Sequence, residues 1–185
     1  MVIRIIRLGN TILRDDGAGI YAVREVSRLL VESGHGAAVD VVESEVGGFV
    51  LLELMAGWEQ VLLVDSVQFA DLKPGTVIRM EPEDLHTSLR LRSVHEIDLP
   101  TVLELGRRLG LAMPARITLF GIQAEDPLTF GESMTADPTR PIEFMVNHSS
   151  LWDFVLARSW YPALKRRAII KCPSGTKTAV QEPYS

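Results

Sequence analysis

The first apolar run, over 2–8, is interrupted only by Arg4 and Arg7 and stops at Gly9-Asn10, which predicts a buried strand followed by a loop. After Asp15-Asp16-Gly17 the apolar positions recur at helical spacing, at Ile20, Val23, Val26 and Leu30, with Gly34 and Gly36 at the helix end. Asp15 stands where a short carboxylate caps a helix by accepting from its unpaired backbone N–H groups. A second strand over 38–42 leads through Gly47-Gly48 into a short helix over 49–55. Val61-Leu62-Leu63-Val64 is a continuous apolar run of the kind buried on both faces of a parallel sheet, and it predicts the central strand.

Lys73-Pro74-Gly75 forms a turn before a strand over 76–80, and the polar stretch over 81–94 reads as loop. Asp98 is placed to cap a helix with Pro100 in its first turn, with Leu99, Val102, Leu103 and Leu109 on one face and Gly110 closing it. The last strand is predicted over 116–122. Strands and helices alternate, so the fold class expected is α/β, an open, twisted, mostly parallel sheet of about five strands with helices on both faces. From about Ala136 the pattern changes. Asp137-Pro138-Thr139-Arg140-Pro141 breaks regular structure, only 143–160 carries a helical pattern, and the end from Lys171 lacks apolar periodicity and reads as disordered. The chain therefore divides into an α/β domain over 1–135 and an atypical C-terminal segment over 136–185.

Composition narrows the function classes. A chain of 185 residues with 46% hydrophobic and 23% charged positions is globular and fits one domain core. A net charge of −5 leaves no cation excess for a phosphate backbone, so no nucleic-acid partner is expected. The single cysteine, Cys172, cannot close an intrachain disulfide and suits a reducing compartment. The N-terminus reads as a strand and not as a signal peptide, and no stretch approaches the roughly 20 apolar residues of a spanning helix. A cytoplasmic protein without membrane attachment is expected.

Ligands of open α/β sheets gather beyond the carboxyl ends of the strands, so polar residues that follow apolar runs are the candidates for chemistry. Asp16 lies after the first strand, Asp65 directly follows the central run, and His95 precedes the Asp98-capped helix. Asp65 has the strongest physical case, because a carboxylate at the end of a buried strand needs donors, a cation or water to offset its desolvation. Its bland alternative is a helix cap or a solvated strand end. Asp16 serves equally well as part of an ordinary helix start, and a lone histidine is more often surface or supporting than ligating, with His35, His86 and His148 as competitors. As a set, two carboxylates and one imidazole suit a divalent ion such as nickel, zinc, manganese or iron. Gly17-Ala18-Gly19 lacks the third glycine of a dinucleotide loop, and Asp15 and Asp16 would repel a pyrophosphate. No GxSxG motif is present, so covalent catalysis has no candidate.

The string Leu8-Gly9-Asn10-Thr11-Ile12-Leu13-Arg14-Asp15-Asp16-Gly17-Ala18-Gly19 resembles the opening motif of the hydrogenase maturation proteases, endopeptidases that process the large subunit of NiFe hydrogenases. The likeness continues in order through Gly47-Gly48 before Leu51-Leu52-Glu53-Leu54, the strand ending in Asp65, Lys73-Pro74-Gly75 and Ser93-Val94-His95. It implies a five-stranded α/β sandwich of the phosphorylase/hydrolase-like group, and a nickel-interacting triad of Asp16, Asp65 and His95 that is also catalytic. It further implies an aspartic or metallo-type endopeptidase that removes a C-terminal extension from the nickel-loaded large-subunit precursor. The nickel, for which other divalent ions can substitute, is carried by that substrate or held by the chain. Two stretches depart from the family. Glu43-Ser44-Glu45-Val46 replaces the Asp-Gly-Gly-Thr often found there, and the Pro-broken, basic, aromatic segment after Thr135 replaces the usual amphipathic helix. Two other readings stay open: a non-catalytic module that recognises the nickel-loaded large subunit, and a small-molecule metallohydrolase on the same scaffold.

Overall fold

The computed structural model describes residues 2–32, 34, 36–45, 47–69, 71–82, 92–93, 99–131 and 133–135. His95, Asp98 and Cys172, the competing histidines, and the whole segment over 136–185 lie outside the described residues.

Strand β1 (Ile3–Leu8) is followed by helix α1 (Ala18–Glu32), strand β2 (Val39–Ser44), helix α2 (Val50–Met55) and strand β3 (Gln60–Gln68). Strands β4 (Val77–Met80) and β5 (Arg92–Ser93), helix α3 (Leu99–Arg108) and strand β6 (Arg116–Gln123) complete the described strands and α-helices. The sheet runs in the order β2-β1-β3-β6-β4, with β5 paired to β3 off that path. β1 is parallel to β2 and β3, and β3 is parallel to β6, while β4 and β5 run antiparallel to their neighbours. The predicted mostly parallel sheet of about five strands is this five-strand path. The two-residue β5, in the stretch read as loop, is the addition.

The two faces of the sheet are covered because its buried strands are apolar on both sides. Ile3, Ile5, Leu62, Val64 and Phe120 pack against Ala22, Val23, Val26 and Leu30 of α1. Ile6, Leu8, Leu63, Val67 and Leu119 pack against Leu51, Leu52 and Met55 of α2 and Leu99, Val102 and Leu103 of α3. Arg4 and Arg7, which interrupt the apolar pattern of β1, stand in register with acidic residues of β2. Arg4 pairs with Asp40 at 2.7 Å and lies 4.3 Å over the ring of Trp58, and Arg7 pairs with Glu43. The ion pair and the ring face both stabilise the charge of the partly buried Arg4 guanidinium.

Leu109 departs from the expected helix face and is 62% exposed. The helix ends at Arg108, and Gly110 adopts a φ of +73° that turns the chain away before another turn can form. Gly106 takes the inward position instead. Among the described residues, no helix is long and apolar enough to cross a membrane.

From β1 the chain passes through α1 to β2 on one side, and from β2 through α2 to β3 on the other. The connections therefore diverge between β1 and β3, and a crevice opens beyond the carboxyl ends of these two strands. Gly19 sets how closely α1 covers it. A Cβ there would stand 3.0 Å from the Leu8 carbonyl oxygen and 3.2 Å from that of Val64, so a side chain would push the helix off both strands.

Candidate active site

The loop after β1 is shaped locally and then pinned from a distance. The Gly9 N–H donates to the Ser44 carbonyl at 3.3 Å, and the Asn10 side-chain oxygen accepts from the Ile12 N–H at 3.1 Å, an Asx turn that starts the loop's return. The Arg14 N–H then reaches the Thr129 carbonyl at 3.0 Å, and the Gly131 N–H reaches that of Ile12 at 3.0 Å. These bonds lay the loop along the segment that follows β6.

Asp16 emerges from this loop just before α1 and is 1% exposed. Its Oδ2 accepts from the Asn10 N–H at 2.8 Å, and its Oδ1 accepts from the Ser66 hydroxyl at 2.9 Å. The N-terminus of α1, two residues on, adds the positive end of the helix dipole. A buried carboxylate is sustained by such donors.

Asp65 is 5% exposed and lies inside β3, which runs on to Gln68, so it is not at the strand end where the sequence places it. The strand outlasts its apolar run because β6 keeps pairing with it through Val67↔Gln123, whereas β1 pairs with it only as far as Val64. Asp65 therefore stands at the height where β1 leaves the sheet, which is the mouth of the crevice. Its Oδ1 accepts from the Ser66 N–H at 2.8 Å. The strand pleat puts Asp65 on the face of Leu63 and Val67, and Ser66 on the face of Val64, toward α1 and Asp16. The fold thus joins Asp16 to the immediate neighbour of Asp65. Among the described residues, no three ligating side chains form a group that could hold a metal ion. β5 pairs Ser93 with Val67 and so brings the chain to this end of β3 two residues before His95.

Asp15 does not do what the local pattern predicts. Its carboxylate, on a residue 2% exposed, accepts from the Glu125 and Asp126 N–H groups at 2.9 Å each, from the Thr135 N–H at 2.7 Å and from the Thr135 hydroxyl. Only its backbone carbonyl serves the helix start, accepting from the Ala18 N–H at 3.1 Å. The capping rule is local, and these partners stand 110 to 120 residues away. Gln123, also unforeseen, donates to the Phe69 carbonyl at 3.2 Å and accepts from the Phe69 N–H at 2.8 Å, tying the exit of β3 to β6.

The family model described as hydrogenase maturation protease matches residues 20–148. The chain belongs to the hydrogenase maturation protease family. Its opening glycine-rich loop lies before the matched span, so membership does not depend on that loop. Among solved structures, the chain is similar to the NiFe hydrogenase maturation protease HybD from Thermococcus kodakarensis, with a TM-score of 0.59 and 27% identity over 80% of this chain and 95% of that one. The hydrogenase maturating endopeptidase HybD from E. coli shares the fold, with a TM-score of 0.59 at 22% identity, covering 85% of this chain and 91% of that one. The hydrogenase expression/formation protein HupD of Thiocapsa roseopersicina is 28% identical over 134 residues, 71% of this chain. The chain spans 58% of that relative's length.

In this maturation protease fold, the Asp15 carboxylate acts as a clasp between the loop that carries Asp16 and the segment after β6. Burial opposes its ionisation. The bonds from Asp126, Thr135 and Glu125 outweigh that opposition and hold the carboxyl below the ordinary aspartate value. A depressed folded value contributes stability that is present above the unfolded pKa of about 3.9 and is lost as pH falls through the folded one. Asp15→Asn, which keeps one acceptor oxygen and removes the charge, is expected to lower stability at pH 7 by about 2 kcal/mol. Because that contribution vanishes in acid, the gap between variant and parent should narrow below about pH 4. Urea midpoints measured from pH 3 to 7 check this, and a gap of constant size would rule out the charged clasp.

Proposed function

We propose that this chain is an endopeptidase that removes a C-terminal extension from the nickel-loaded large-subunit precursor of a NiFe hydrogenase, acting in the cytoplasm. The observation that carries the reading is the pair of buried aspartates at the β1/β3 crevice, with Asp16 bonded to the residue beside Asp65, in a chain of the maturation protease family. Asp16, Asp65 and His95 form the working set. Asp16 and Asp65 supply hard anionic oxygens and His95 an imidazole, a mixture that suits nickel and similar divalent ions.

The nickel arrives with the precursor and is part of what is recognised. A divalent ion so placed polarises a carbonyl or acidifies a water molecule. The chain's own contribution is position and dryness. Fixed donors from Asn10 and Ser66 hold Asp16 in one orientation, and burial keeps bulk water from competing for its charge.

The test is the mass of a nickel-loaded large-subunit precursor before and after incubation with this protein. Loss of a C-terminal peptide, absent when the precursor carries no nickel, is expected. A precursor of unchanged mass that nevertheless forms a stable complex would replace the protease reading with that of a recognition module.

A further inference from the structure

Ser66 is a polar residue of β3 that takes no chemical step in the proposed reaction. It is 0% exposed, it follows Asp65 directly, and its hydroxyl donates to Asp16 Oδ1 at 2.9 Å. A serine in a strand whose other positions on the same face include Leu62 and Val64 gains nothing from burial unless its hydroxyl is satisfied. Its partner is the carboxyl group of a residue outside β3, 50 residues away in sequence. Hydrogen bonds to charged groups are the stronger class, and they are directional.

We infer that Ser66 is a positioning residue: its hydroxyl fixes the Asp16 carboxylate to β3 and so sets the placement of that carboxylate relative to Asp65 for binding the nickel-loaded precursor. Two of the bonds to this carboxylate come from different parts of the fold. The Asn10 N–H holds Oδ2 from within the loop and therefore moves with it. Ser66 holds Oδ1 from the sheet, and it is the bond that ties the loop's charge to the frame on which Asp65 stands. Without it, the carboxylate loses a tie to the sheet and is held less firmly against movement of its loop. Its geometry toward Asp65 is then no longer set before the substrate arrives, and part of the binding energy goes into ordering it.

This inference rests on the protease reading given above, and a double-mutant cycle separates the two. Ser66→Ala, Asp16→Asn and the double variant are compared with the parent for the dissociation constant of the nickel-loaded precursor, for kcat and KM of cleavage, and for the urea midpoint. Ser66→Ala is expected to weaken precursor binding about tenfold, as is usual when a group that orients a ligating residue is removed. In the Asp16→Asn background the same change should have no further effect on binding, because the charge to be positioned is gone. Ser66→Thr, which keeps the hydroxyl, should restore parental binding. A purely structural serine would shift the urea midpoint and leave the dissociation constant of the folded protein where it was, and that result overturns the inference. So do equal losses of binding in both backgrounds. A parent protein that neither binds nor cleaves the precursor would overturn the function itself and the role of Ser66 with it, whereas an active parent with an unaffected Ser66→Ala variant overturns only the latter.

Discussion

Asp16→Ala is expected to reduce precursor cleavage by about a hundredfold or more, measured as the initial rate of appearance of the shortened large subunit. The carboxylate is buried, charged and held at both oxygens, so its removal takes away a preorganised charge that water cannot replace. It also leaves the Ser66 hydroxyl and the Asn10 N–H without their acceptor, at a cost of about 1–3 kcal/mol for each group that stays dry. Loss of activity in Asp16→Ala alone is therefore open to a trivial explanation by unfolding. Asp16→Asn resolves it. An amide can turn its oxygen to the Asn10 N–H and its NH2 group to Ser66, whose oxygen also accepts, so both partners stay paired while the charge is gone. Asp16→Asn should keep most of the parental urea midpoint and still cleave poorly. Cleavage by Asp16→Asn at the parental rate would remove the aspartate from the working set.

Gly9→Ala has the second large effect, and it acts on the same residue through the backbone. Gly9 has a φ of +146°, and a Cβ there would come within 2.4 Å of the Asp16 carbonyl oxygen and 3.3 Å of its carbonyl carbon. The atoms it would strike are main chain, which cannot rotate aside as a side chain can. The substitution must therefore either change the path of the loop or displace the start of α1. A loss of about 2–4 kcal/mol is expected from the strained dihedral and the contact together. Cleavage by the folded fraction should also fall, because the displaced residue is Asp16. Urea unfolding gives the first quantity and a rate normalised to folded protein gives the second. Parental values in both would mean that the glycine is there for some other reason.

The frame of the molecule was legible in the chain wherever burial imposes a pattern. β1 is apolar apart from Arg4 and Arg7, β3 contains the continuous apolar run Val61 to Val64, α1 repeats its apolar positions at helical spacing, and all three stand within a few residues of the predicted positions. Asp16 and Asp65 were legible for the complementary reason, since an acidic residue beside a dry run has to be explained. The misreadings share one cause. Asp15 looked like a helix cap, Asp65 like a strand terminus, and Leu109 like one more turn of α3, because each was judged by its sequence neighbours. The deciding partners are remote: Glu125, Asp126 and Thr135 for Asp15, and the extended pairing with β6 for Asp65. Ser66 left a faint signal, a second polar residue after Asp65 in a run that should have returned to apolar residues, but its meaning depends on where Asp16 folds. His95 is a candidate by its place before the Asp98-capped helix, a position that the family resemblance matches, and it lies outside the described residues.

The clasp between Asp15 and Thr135 also has a consequence in time. A ribosome releases the Asp16 loop early, with more than a hundred residues still to be added before its partners exist. Until the segment after β6 has emerged, the loop lacks the bonds from Glu125, Asp126 and Thr135 that fasten it, and contacts of such long separation form late. The arrangement of Asp16 beside β3 would therefore be completed at the end of domain synthesis and not grow along with it, so a half-made chain carries Asp16 and Asp65 without the bonds that fasten the Asp16 loop.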